Sequence, residues 1–124
     1  MAAAHTTPHW PVEVRLQKAE RRLTVTFDDG TAFDYPAEYL RVESPSAEVK
    51  GHGPGQQVIV AGRANVGIRS LEPIGNYAIR IVFDDGHDTG IYSWRYLYEI
   101  GADRERIWNA YLAALAERGL KREP

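Results

Sequence analysis

No cysteine occurs in the 124 residues, and that absence removes disulfides, thiolate zinc sites, a cysteine nucleophile and any iron-sulfur cluster held by the chain's own thiolates. Long apolar runs are missing too, since none approaches the ~20 residues that a membrane-spanning helix needs. Charge of one sign does not prevail. Fifteen basic and 17 acidic residues leave a formal charge of -2, so neither a nucleic-acid nor a membrane partner is expected. The opening MAAAHTTPHWP lacks the basic start and apolar stretch of a secretory signal. It reads as a disordered tail over 1–10, ahead of a single domain over 11–119 and a frayed tail over 120–124. A cytoplasmic location is the expectation.

What is present is organised around a repeat. The tetrapeptide Phe-Asp-Asp-Gly occurs at Phe27 to Gly30 and again at Phe83 to Gly86. Ahead of the first copy, VEVRLQ and RRLTVTF alternate at period two, the mark of half-buried strands, with Leu23, Val25 and Phe27 on one face and Thr24 and Thr26 on the other. Asp29-Gly30 is a two-residue hairpin signal, and TAFDY is the returning strand. Pro36 suits the first turn of a short helix through PAEYLRVES. Residues 44–57 carry three glycines and two prolines and read as surface loop. Short antiparallel strands are predicted at 58–61, 66–73 and 77–83. Aligning the two Phe-Asp-Asp-Gly copies, with one inserted residue, brings Tyr39-Leu40 onto Tyr96-Leu97. The chain therefore holds strand, turn, strand, short helix twice, and two such units sharing a core are expected.

The last segment, DRERIWNAYLAALAERGL, has Ile107, Trp108, Tyr111, Leu112 and Leu115 at helical spacing. It predicts a helix over 103–118, capped by Asp103, closed by Gly119 and laid across the sheet. The predicted fold class is a β-rich α+β domain of antiparallel hairpins with short helices and a C-terminal amphipathic helix.

Chemistry-bearing residues gather after the second repeat, in VFDDGHDTGIYSW. Asp-Asp-Gly is explained by hairpin geometry, because the same residues recur at the first turn without a histidine. His87 is different. Asp85 and Asp88 flank it closely enough to share a cation, and His52, in GHGPG, could join them if the loop met the hairpin. His87, Asp85, Asp88 and His52 are thus the candidate metal ligands, with iron, manganese or zinc as the metal. Ser44, Ser46, His52 and Gly53 mark the same loop as a candidate partner-binding surface. GHGPGQ lacks the Gly-Lys-Ser/Thr ending of a P-loop. No nucleophile, base and orienting group can be assembled from the sequence, which places an enzyme third among the readings.

FDDGTAFDYPAEYLRVESPSAEVKGHGPGQ, followed from Leu71 by LEPIGNYAIRIVFDDGHDTGIYSWRYLYEIG, closely resembles the bacterial DUF971 family, whose free-standing members resemble the N-terminal domain of gamma-butyrobetaine hydroxylase. The likeness runs from about Val12 to Gly101. In the hydroxylases it implies a structural zinc on three cysteines and a histidine, ahead of an iron- and 2-oxoglutarate-dependent catalytic domain. Here Ser44, Ser46 and Val49 stand at the cysteine positions and His87 at the histidine, so a thiolate zinc site does not carry over. No oxygenase domain is present in these residues, and oxygenase activity is not expected. Related domains fused to Mrp-type P-loop ATPases imply an Mrp-type ATPase or another iron-sulfur assembly protein as partner. The first reading of function is a non-enzymatic accessory or protein-binding domain, linked to iron or iron-sulfur metabolism. The alternative is a metal-binding protein using His87.

Overall fold

A computed structural model describes residues 9–51 and 58–124. Its elements are β1 (Pro11–Gln17), β2 (Arg22–Phe27), β3 (Ala32–Pro36), α1 (Ala37–Val42), α2 (Ala47–Lys50), β4 (Ile68–Ile74), β5 (Ala78–Phe83), β6 (Ile91–Ser93), α3 (Trp94–Ala102) and α4 (Arg104–Glu117). The strands form two antiparallel three-stranded sheets, β1-β2-β3 and β4-β5-β6. The expected α+β class and the expected duplication both hold. No helix among the described residues is long and apolar enough to cross a membrane.

Period-two alternation sets the buried face of each central strand. Leu23, Val25 and Phe27 of β2 are buried while Arg22, Thr24 and Thr26 are half-exposed; Ile79, Ile81 and Phe83 do the same in β5. A three-stranded sheet is at the lower limit of independent stability, and here the two apolar faces join one core with Tyr35, Tyr39, Leu40, Tyr92 and Leu97.

Four tyrosines, three buried and Tyr96 half-buried, tie the units together, and they do so reciprocally. Tyr35 and Tyr39 of the first unit donate to the carbonyls of Leu97 and Ile100 on α3, each at 2.6 Å. Their counterparts Tyr92 and Tyr96 donate to the carbonyls of Leu40 and Glu43, on and just after α1. Buried phenols need a partner. The carbonyls of Leu40 and Ile100 fall in the last turn of their helices and Glu43 just after one, where the helix offers no donor. Leu97 takes the Tyr35 hydroxyl on the second lone pair of a carbonyl inside α3, so each unit completes the other. Burial pushes all four hydroxyls well above the ordinary tyrosine range. Close approach across the interface also needs glycine at matched places. A Cβ on Gly101 would lie 2.6 Å from the Phe33 ring, and one on Gly90 would lie 2.6 Å from Ser44 Oγ. In the repeat alignment Gly101 is the counterpart of Ser44 and Gly90 of Phe33, so the same contact is made twice with the glycine on opposite sides.

Several expectations require correction. Each hairpin turn is longer than two residues. Phe27 N-H donates to the Thr31 carbonyl and Gly30 N-H to the Phe27 carbonyl, and Phe83, Gly86 and His87 repeat that pattern. Gly30 and Gly86 have φ of 87° and 93°, the left-handed glycine that closes a three-residue loop. Residues 58–61 are not a strand. Asp103 precedes α4 without a capping bond from its side chain, because its carboxylate is engaged by Arg106. Gly119 does close the helix, with φ 63° and its N-H bonded to the Ala116 carbonyl. The α4 stripe does not lie across the sheet. Tyr111 and Leu115 form a second cluster with Val42, against Ile59, Val60 and Ala61, and Trp108 bridges to the main core.

The ends also differ from the expected tails. Trp10 accepts from Asp28 N-H, and His9 stacks on Tyr98 at 3.9 Å. At the other end, Lys121 and Arg122 accept from Gly62 and Ala64 N-H. The Arg122 guanidinium forks onto Glu38 at 2.7 and 2.9 Å and lies over the Trp108 ring. Residues 1–8 of the expected N-terminal tail lie outside the described residues.

Tyr35→Phe and Tyr92→Phe should each cost about 0.5–1.5 kcal/mol of unfolding free energy for the lost hydrogen bond, and Tyr92→Phe up to about 3 kcal/mol because it also leaves the Leu40 carbonyl unpaired. Urea denaturation measures it, and a loss below about 0.3 kcal/mol for both would show that the reciprocal bonds do not hold the units together.

Candidate functional site

The loop after α1 and the turn after β5 meet, and they bring together three of the positions singled out from sequence. Ser44 Oγ and His87 Nε2 share a hydrogen bond of 2.9 Å, and Ser46 Oγ lies 2.8 Å from Thr89 Oγ1. Ser46 is also the N-cap of α2, accepting from Glu48 N-H at 3.1 Å, which is the capping role its position suits. Val49 is buried in the apolar wall on the other side of α2. His52 and Gly53 lie outside the described residues.

Asp85 is occupied. Its Oδ1 accepts the His87 N-H at 3.0 Å, as Asp29 Oδ1 accepts from Thr31 in the first turn. Its Oδ2 accepts from Arg41 Nε at 2.7 Å, and Arg63 Nε lies 2.8 Å from the same oxygen in an ion pair. Burial pushes this carboxyl up, but the His87 N-H and Arg41 bonds prevail and hold it below the usual aspartate range. The first turn carries the same tie with other chemistry, since Tyr98 donates to Asp29 Oδ2 at 2.6 Å. Asp88 points elsewhere, toward Arg80 at 3.9 Å. Sequence reasoning missed Arg41 and Arg63, which are distant along the chain and carry no motif.

Two guanidiniums engage the one Asp85 carboxylate, and Arg41 Nη1 is buried with no hydrogen-bond partner among the described residues. Asp85 is therefore not free to take a cation. Burial, then the nearby Arg41 charge, lowers the His87 pKa from its ordinary 6.5, so the ring is neutral near pH 7. Among the described residues no group of three His, Cys, Asp or Glu side chains is placed to hold a metal ion. The residues at the zinc positions of the hydroxylases do not fit zinc: two hydroxyls, a valine and a histidine offer one good ligand, and both hydroxyls are already paired.

Ser44, His87 and Glu48 stand in the order of a nucleophile, a base and a carboxylate, a juxtaposition that sequence spacing did not reveal. Ser44 is fully buried, however, and Gly90 is pressed against its Oγ. Glu48 Oε1 is 3.9 Å from His87 Nδ1, beyond hydrogen-bond reach. Nothing in this arrangement lets a substrate carbonyl approach the hydroxyl. It is a closed polar latch between the units.

Beyond the latch runs an open groove of about 300 Å³, walled by Val42, Val49, Val58, Val60, Ile107 and Tyr111, with Glu43, Lys50 and Arg106 also lining it. Val58 is 53% exposed. Lys50 is paired with Glu43 at 3.3 Å, whose carboxyl burial pushes upward. Burial likewise pushes the Tyr111 hydroxyl up to about 12, and it donates to the Val60 carbonyl at 2.6 Å, pinning the groove's far wall.

Residues 14–98 match the family model described as gamma-butyrobetaine hydroxylase-like, N-terminal. Two structures solved by NMR in solution are similar. One is 46% identical with a TM-score of 0.81, the match covering 94% of this chain and 91% of its own. The other is 44% identical with a TM-score of 0.82, covering 100% and 92%. A crystal structure from Acidithiobacillus ferrooxidans ATCC 23270, of a DUF971-family protein of unknown function, is 36% identical with a TM-score of 0.62, covering 74% of this chain and 92% of its own. No curated protein matches.

The lowered His87 pKa fixes the sign of a pH effect. The unfolded state binds this proton more readily, so the contribution is complete above the ordinary value of 6.5 and is lost as pH falls below it. Unfolding free energy should therefore fall between pH 7 and pH 5, and His87→Gln should flatten that slope. An unchanged slope in His87→Gln, measured by urea denaturation at each pH, would contradict the buried neutral ring.

Proposed function

We propose that this chain, which belongs to the gamma-butyrobetaine hydroxylase-like N-terminal family, works as a non-enzymatic accessory domain that binds a protein partner. One observation carries the reading: the polar cluster is closed, with Ser44, Ser46, Asp85 and His87 paired within it, whereas the groove beside it is open, largely apolar in its wall and unfilled by described side chains. The valine and isoleucine wall suits a partner segment that is apolar on one side, and the paired charges beside it, Lys50 with Glu43 and Arg106 with Asp103, suit a polar flank of either sign. Val58 and Ala110 are exposed along it, so a helix or extended peptide can reach the wall. The family resemblance suggests the partner class, an Mrp-type P-loop ATPase or another iron-sulfur assembly protein, and a cytoplasmic setting belongs with that reading.

The metal-binding alternative has less support. Among the described residues His87 is its one strong donor, with Asp85 held by two arginines and Asp88 turned toward Arg80; His52, the other histidine of that reading, lies outside them. Elemental analysis of untagged protein tests it: a full equivalent of iron or zinc that disappears in His87→Ala would restore it.

Binding is tested with a purified Mrp-type ATPase and with affinity capture, using Val58→Glu and Ala110→Glu as groove variants. Both positions are exposed, so the fold should tolerate the change within about 0.5 kcal/mol. The reading expects an iron-sulfur assembly protein to bind wild type and to lose at least about tenfold in affinity against either variant, a ~1.4 kcal/mol effect. Absence of any such partner, or equal binding by the variants, contradicts it.

A further inference from the structure

Among the described residues the β1 strand is an edge, paired with β2 alone, and it is unusually bare. Val12 is 65% exposed and Val14 37%, while Glu13 and Arg15 are exposed beside them. Val14 and Leu16 face Val25 and Leu23 in the register and so lie in line with the core face; Glu13 and Arg15 face Thr26 and Thr24 on the outer face. An open edge with an apolar row is a template for another strand.

We propose that β1 pairs antiparallel with β1 of a second copy, centred on Val14. That register is self-complementary. Val14 meets Val14 of the second copy, Glu13 meets Arg15 and Arg15 meets Glu13; Val12 lies in the bulge ahead of Glu13, so the regular pairing is centred on Glu13 to Arg15. Two opposite-charge pairs then fall on the outer face, and the half-exposed valine row continues the core face across the junction, joining the two sheets into one of six strands. In the single chain Glu13 and Arg15 bridge to each other at 3.3 Å, an exposed contact that exchanges for the cross-strand pairs without stranding a charge.

The second unit supplies an internal control. Its edge strand β4 occupies the corresponding position, yet Leu71, the counterpart of Val14, is flanked by Ser70 and Glu72. Self-pairing about Leu71 would set serine against glutamate, and Pro73 removes a backbone donor. Both edges carry a bulge at matched places, ahead of Glu13 and ahead of Ser70; β4 adds the proline, and β1 has the complementary charges. A single strand pairing buries less than the ~1,200 Å² of a stable interface, so association is expected in the micromolar range or weaker.

Sedimentation equilibrium from about 5 to 500 µM tests the proposal, that range bracketing a weak interface. Wild type should form a dimer. Glu13→Arg alone and Arg15→Glu alone should each weaken it roughly tenfold, since like charges then face each other twice. The double reversal should restore it, and mixing the two single variants should give a heterodimer. The dimer should weaken as salt rises. A wild-type monomer throughout this range would overturn the proposal, and so would a dimer indifferent to both single reversals. Circular dichroism of each variant separates loss of pairing from loss of fold, and groove variants at Val58 and Ala110 should leave the dimer unchanged.

Discussion

The reciprocal bonds from tyrosine hydroxyls to helix carbonyls are the constraint on which the rest of this structure depends. Neither three-stranded sheet has enough apolar partner surface alone, and neither α1 nor α3 is long enough to be stable in isolation. Each helix is fixed because two phenols from the other unit reach its carbonyls while the aromatic bodies fill the shared core. Once α1 and α3 are placed, the turns follow: Arg41 from α1 reaches Asp85, and Tyr98 from α3 reaches Asp29. The aspartate of each turn therefore shapes its own loop with one oxygen and ties the units with the other.

Duplication explains where the two halves diverge. At the first turn, Thr31 follows the glycine, and the tie to Tyr98 is surface-exposed. At the second, His87 occupies that position and is buried against Ser44, with Arg41 and Arg63 on the adjacent carboxylate. The same backbone holds a wet tie in one half and a closed polar latch in the other. Ser44 fits there because Gly90 leaves room, and Phe33 fits its own counterpart because Gly101 does. The residues at the positions where the family resemblance would put a thiolate site are here part of the packing between the units.

Sequence periodicity was sufficient for β2 and β5, whose alternation is local, and for the duplication, because the repeated tetrapeptide aligns the tyrosines with one inserted residue. The nearness of Ser44 and Ser46 to His87 and Thr89 was legible only through the family resemblance, since the pairs are 43 residues apart. Arg41 and Arg63 were invisible for a related reason: they join the site through chain-distant ion pairs, and arginine spacing carries no signal. The C-terminal end was misread because KREP looks like a polar tail. Its order rests on Arg122 meeting Glu38, 84 residues away, a contact no local pattern announces. The α4 stripe was read correctly as buried but assigned the wrong neighbour, because an amphipathic face specifies that it is covered and not by what.

If the units are locked by each other's tyrosines, they cannot open separately. Native-state hydrogen exchange of the amides in β2 and β5 tests this directly. The account predicts one opening free energy for the slowest amides of both strands, equal to the global unfolding value, with Tyr35→Phe lowering both by the same amount. Protection that persists in one sheet while the other exchanges freely would show two independent units and would contradict it.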